Sequence, residues 1–228
     1  MRIRLQMIKR ETMDKIVQNA KSIAGIILTA LIIKATIVEA YQIPTGSMED
    51  TILVGDFILG NKFIFGVRIP GTNWRLPSFR HPKQGDIIIF KYPRDPSQNY
   101  IKRAIAVGGQ TVTIRNKKVY VDNKFVELPD NGKFSDPNIR SRKMQEGLIY
   151  PKGAGNRDNY GPIDIPEGYI FVMGDNRDES YDSRYWGLVP ERNILGEGLI
   201  IYWSWDKTIP LYNIFEKVRW SRIGTILS

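Results

Sequence analysis

The sequence predicts a mainly β protein with one transmembrane helix at its amino end and a smaller subdomain inserted into the β core. Three observations carry this. A single long apolar stretch lies near the amino terminus, short β-patterned runs punctuated by Gly, Pro, Asn and Asp fill most of the rest, and one internal segment loses that pattern. With 228 residues the chain has room for an anchor and one sizeable globular region.

The anchor is expected at residues 22–41, SIAGIILTALIIKATIVEAY, where Lys34 is the only charge before Glu39 and the length matches a bilayer-spanning helix. Its uninterrupted core, Ile23 to Ile33, is short, so Lys34 is expected to snorkel to the outer interface and Tyr41 to lie there as an aromatic. Arg2, Arg4, Lys9, Arg10, Lys15 and Lys21 precede the stretch, against Glu11 and Asp14. That asymmetry keeps residues 1–21 in the cytoplasm as a basic segment and places 42–228 beyond the membrane. A cleavable signal peptide is the competing reading, because Val38-Glu39-Ala40 resembles a small-residue cut site. The long amphipathic lead-in and Lys34 weigh against it.

Beyond the anchor the clearest strands are Asp86 to Tyr92, Tyr100 to Val107, Thr111 to Ile114, Lys118 to Val121, Tyr169 to Met173 and Gly198 to Trp203, with Asn116-Lys117 turning a hairpin. Between about Phe125 and Tyr160 the chain is rich in Gly, Pro, Asn, Asp, Lys and Arg with weak periodicity, which places an inserted subdomain within about 111–168. Phe57, Ile58, Phe63, Ile64, Phe65, Trp74 and Leu76 fit either core packing or a surface that docks on the membrane.

Composition then removes whole classes of chemistry. There is no cysteine, so no disulfide, thiolate nucleophile or cysteine-based metal site, and the single histidine, His81, rules out a multi-histidine metal site. Neither a metal nor a cofactor is expected. The net charge of +9 suits an anionic membrane surface or nucleic acid; the expected topology argues for lipid headgroups and against nucleic acid.

Three segments carry possible chemistry. IPTGSMEDTI places Ser47 a few residues past the anchor, although a Gly-Ser-Met triplet alone is a weak signal and by itself reads as a turn serine. Lys102 lies on an apolar strand, YIKRAIAVGG, on the face opposite Ile101 and Arg103. A lysine serves as a base only when neutral; burial that lowers its pKa from about 10.4 to about 8 would leave roughly a tenth in that form at pH 7. GDNRDESYDSRYWGLVP, from Gly174 to Pro190, is dense in polar groups but lacks the glycine and terminal glutamate of a twelve-residue calcium loop. A polar turn with an Asp182–Arg184 ion pair is its plain reading.

In this order, after one amino-terminal anchor, these segments resemble the bacterial type I signal peptidase family. The resemblance covers IPTGSM, GDFIL from Gly55, GDIIIF from Gly85, YIKRAIAVGG, GPIDIPEGYIFVMGDNRDESYDSRYWGLVP and the closing RWSRIG. It implies a coiled β-sheet catalytic core, with Ser47 as nucleophile, Lys102 as general base and Ser180 as the hydroxyl that orients the lysine. Asp182 and Arg184 match the supporting polar pair, and the Ser47 N–H with the Thr45 hydroxyl the oxyanion hole. Asp50 stands where the family often has proline and Glu179 where it often has asparagine, which bears on loop geometry. The implied substrates are preproteins cut after small residues, held in shallow pockets for which Met48 and Ile101 are candidates. Alternatives are a specialised Ser/Lys peptidase maturing one pilin-like or conjugation substrate, and an inactive membrane-anchored peptide-binding module.

Overall fold

The computed structural model describes residues 13, 15–30, 38–66 and 77–227. Helix α1 covers 15–30, with its side chains exposed. Among the described residues no helix is long and apolar enough to cross a membrane. Much of the basic segment, Lys34, Trp74 and Leu76 lie outside the described residues.

Strand β1, Val38–Gln42, occupies the end of the expected span: Val38 pairs with Asn61 and Gln42 with Phe57 of β2, Asp56–Asn61. This corrects the outer boundary of the anchor, because residues 38–41 belong to the sheet. Hydropathy alone does not separate a half-buried edge strand from the tail of an apolar helix. Tyr41 accordingly packs at the sheet edge and donates to Glu39 at 2.8 Å.

The remaining strands are β3 (Ile87–Lys91), β4 (Asn99–Val107), β5 (Thr111–Arg115), β6 (Lys118–Val121), β7 (Lys124–Val126), β8 (Tyr160–Asp164), β9 (Tyr169–Met173), β10 (Val189–Pro190) and β11 (Ile194–Ser204). Seven form one antiparallel sheet in the order β1-β2-β11-β3-β4-β9-β10, and four form a second in the order β7-β6-β5-β8. Register shifts in the β2–β11, β3–β11 and β4–β9 ladders mark bulges, which add twist to the large sheet. The second sheet lies wholly within residues 111–164. Its first hairpin turns at Asn116 and Lys117, both at positive φ (50° and 69°), as a two-residue turn matching strand twist requires.

The large sheet is buried on both faces. Ile87, Ile89 and Ile101 pack with Ile43, Met48 and Ile52, whereas Ile88, Phe90 and Ala104 pack with Val172 and Trp186. Of the aromatic and aliphatic run read as core or docking surface, Ile58 and Phe65 are core, while Phe63 is exposed against Phe79, their ring centroids 4.5 Å apart.

Candidate active site

Ser47 sits in a tight turn following β1. The Glu49 N–H donates to the Gly46 carbonyl at 2.9 Å and the Ile52 N–H to the Met48 carbonyl at 2.7 Å, while Met48 and Ile52, both fully buried, plug the turn into the core. Lys102 comes from the middle of β4, opposite Ile88 of β3. Two segments 55 positions apart thus converge, and the Lys102 Nζ donates to the Ser47 Oγ at 2.6 Å and to the Ile101 carbonyl at 3.1 Å.

Lys102 is 4% exposed, and burial lowers its pKa to about 8 against the opposing pull of Asp182 and Asp175. The Tyr100 ring, its centroid 5.5 Å from Nζ, closes one side. Ser47 remains 8% exposed at the floor of an open groove of about 830 Å³. The groove is lined by Tyr41 to Pro44 and Gln98 to Ile101, together with Asn176, Glu179 and Tyr181. Next to the serine, the Thr45 hydroxyl lies 3.5 Å from Oγ, and the Ser47 N–H donates to no group among the described residues.

The segment after β9 completes the site. Asp182 caps the short helix α2, Ser183–Trp186, and receives the Arg184 guanidinium through Nε and a terminal nitrogen, each at 2.8 Å. Burial opposes the charge on Asp182, yet Arg184, with help from the Ser180 hydroxyl and the Gly174 N–H, holds its carboxyl below the usual range. The Ser180 Oγ accepts from the Gly174 N–H at 3.1 Å. It makes no hydrogen bond to Lys102, so the lysine-orienting role that the resemblance implies for Ser180 has no hydrogen bond behind it.

Gly174 fills the gap between these parts. A Cβ there would lie 2.3 Å from the Ser47 carbonyl oxygen and 2.3 Å from the Ser180 Oγ. The sequence reading did not single out this glycine, nor the buried pair in which Arg103 clasps both oxygens of Asp175 at 2.8 and 2.7 Å. A signal was available for the pair: an arginine beside a buried lysine on an apolar strand requires a carboxylate partner. Of the two candidate pocket residues, Ile101 lines the groove. Met48 does not; it is fully buried and its Sδ accepts from the Asp175 N–H at 3.4 Å, because a core plug cannot also face substrate. His81 is exposed beside Glu191, away from the groove.

A hydroxyl bonded to a desolvated amine, on the floor of a peptide-sized groove between strand edges, is the equipment of a serine hydrolase of the Ser/Lys type. The chain belongs to the signal peptidase family, peptidase S26, whose model matches residues 16–203. It is 34% identical over 92% of its length to signal peptidase I of Pseudomonas aeruginosa, covering 79% of that protein. It is 37% identical over 78% of its length to signal peptidase I of Aquifex aeolicus, covering 81%. A third relative, signal peptidase I of Rickettsia rickettsii, is 34% identical over 87% of this chain and 85% of its own.

Proposed function

We propose that this chain is a membrane-anchored serine endopeptidase that removes amino-terminal signal peptides from exported preproteins after small residues. The observation that carries the reading is the 2.6 Å contact between the Ser47 Oγ and a buried Lys102 whose pKa is lowered to about 8.

Neutral Lys102 takes the Ser47 proton as Oγ attacks the scissile carbonyl carbon. The developing oxyanion is met by the Ser47 N–H and the Thr45 hydroxyl. When the C–N bond breaks, Lys102 returns its proton to the leaving amine, and the signal peptide stays esterified to Ser47. Lys102 then deprotonates a water that attacks the ester, releasing the peptide carboxylate and restoring the serine. Asp182 and Arg184 hold the Gly174–Ser180 loop against the pair, and Ser180 acts on Lys102 through that loop. The substrate lies extended between Tyr41–Pro44 and Gln98–Ile101, with Ile101 lining a small-residue pocket.

The bilayer anchor is the apolar segment that begins near Ser22 and ends before Val38, with a cytoplasmic amino terminus and residues from 38 onward outside. The basic flank and the exposed Ile23, Ile26, Ile27 and Leu28 of α1 support it. The test is incubation of the purified chain in detergent with a preprotein bearing an Ala-x-Ala site, followed by mass spectrometry of the product termini. A single cut after the second alanine is the expected result; no cut, or cuts scattered through the preprotein, would remove the assignment.

A further inference from the structure

Lys133 joins the inserted subdomain to the turn that carries the serine. Its backbone makes an isolated parallel bridge with Asn176: the Lys133 N–H donates to the Asp175 carbonyl at 3.0 Å and the Arg177 N–H to the Lys133 carbonyl at 2.9 Å. Its side chain reaches past that loop, with Nζ 3.0 Å from Glu49 Oε2 and 3.0 Å from Asp50 Oδ2. Between them, Asn176 donates its N–H to the Ser47 carbonyl at 3.2 Å and its Nδ2 to Glu49 at 3.3 Å. One insert residue therefore touches both the loop behind the serine and the turn in front of it.

The turn has reason to need an external tie. Asp50 holds φ at +74°, a left-handed conformation that costs a non-glycine residue energy, and Glu49 and Asp50 set two carboxylates side by side. A single ammonium between them offsets the repulsion and fixes both side chains. Exposed ion pairs of this kind are individually weak, so the effect to be expected is on geometry rather than on global stability. The affected turn begins beside the attacking oxygen, where a displacement of about 1 Å can cost two orders of magnitude in rate.

We propose that Lys133 is a positioning residue for the reaction, tying the inserted subdomain to the Gly46–Asp50 turn so that the Ser47 hydroxyl stays aligned with Lys102. This rests on the peptidase reading above. In the full chain in detergent, Lys133→Ala should lower kcat about fivefold on an Ala-x-Ala preprotein with KM within about twofold. Lys133→Arg, which can still bridge two carboxylates, should restore kcat, and Lys133→Glu with Asp50→Lys should recover more than Lys133→Glu alone. Hydrogen exchange read by mass spectrometry should quicken over residues 46–52 in Lys133→Ala and stay unchanged in β3 and β4. Lys143→Ala, an exposed lysine elsewhere in the insert, should change neither readout.

Unchanged exchange over 46–52 in Lys133→Ala overturns the proposal, as does faster exchange throughout β3 and β4, which would mean general loosening. An unchanged kcat beside an active parent overturns it too, while leaving the peptidase assignment in place. A parent that cuts no preprotein removes the assignment instead, and the exchange over 46–52 still decides whether Lys133 holds the turn.

Discussion

Lys102 and Ser47 meet at 2.6 Å inside a protein interior that, among the described residues, gives the lysine amine no carboxylate partner; its hydrogen bonds go to the serine hydroxyl and to the Ile101 carbonyl. Asp182 and Asp175 act on it only through space, since each is already clasped by an arginine. The amine is thus buried without an ion-pair partner among the described residues, which is costly for the fold and useful for a base.

The pH dependence follows in sign. In the proposed mechanism only neutral Lys102 accepts the serine proton, and burial lowers its pKa to about 8. We expect kcat/KM to rise about tenfold per pH unit below that value and to level off above it. A profile over pH 6 to 10 on one preprotein checks this; a rate that falls from pH 6 to 9 would contradict it.

The same burial predicts that the enzyme is less stable than a variant without the amine. Lys102 binds its proton more weakly in the folded state (about 8) than its ordinary value of 10.5, so the penalty is fully present below pH 8 and disappears as pH rises towards 10.5. Lys102→Met should therefore be inactive yet more stable at pH 7, by up to roughly 3 kcal/mol, with the difference shrinking by pH 10. Denaturant unfolding at the two pH values measures it.

Gly174→Ala should be severe for a different reason. The added methyl would meet the Ser47 carbonyl oxygen, which is backbone and cannot rotate away. We expect a loss of about 2 kcal/mol or more in stability and a loss of cleavage at least as large as that of Ser180→Ala. Thermal unfolding and kcat measured side by side separate the two effects.

Asp182→Asn should destabilise by about 3–5 kcal/mol, because Arg184 would be left as a buried charge facing mainly the Arg157 and Arg177 carbonyls. Ser180→Ala should be milder, about 1 kcal/mol, since the Gly174 N–H keeps Asp182 as a second acceptor at 3.2 Å. Urea midpoints of the two variants rank them, and the reverse order would contradict this account of the loop.

How far the sequence could be read depended on whether a feature was local. Lys118–Val121 and Tyr169–Met173 have the bounds read from their β-forming residues, and the Asn116-Lys117 turn follows from turn chemistry alone. β8 was missed because Gly161 and Pro162 suppress a strand pattern, and only the pairing with β5 makes it one. β11 was read short, starting at Gly198, because Gly196 breaks the run; its hydrogen is needed where the β2 backbone comes close, the Asn61 oxygen lying 2.5 Å from where a Cβ would stand.

At the site, the segments of Ser47 and Lys102 and the Asp182–Arg184 pair were legible through their motifs, whereas other supports were not. Gly174 between Ser47 and Ser180, Arg103 on Asp175, and Lys133 on Glu49 and Asp50 are all contacts across 70 or more positions, except the short step from Gly174 to Ser180. Asp50 shows how a departure from the family can be physical: at φ +74° the position is closed to proline, whose ring fixes φ near −65°.

The most direct test of the central claim compares the parent chain with Ser47→Ala and Lys102→Ala on one Ala-x-Ala preprotein in detergent, with kcat/KM measured at pH 8.5. The account predicts that each variant folds and that each loses cleavage by about a thousandfold or more, since nucleophile and base act as a unit. Cleavage by either variant within about tenfold of the parent would mean that this serine and lysine, for all their proximity, do not carry the reaction.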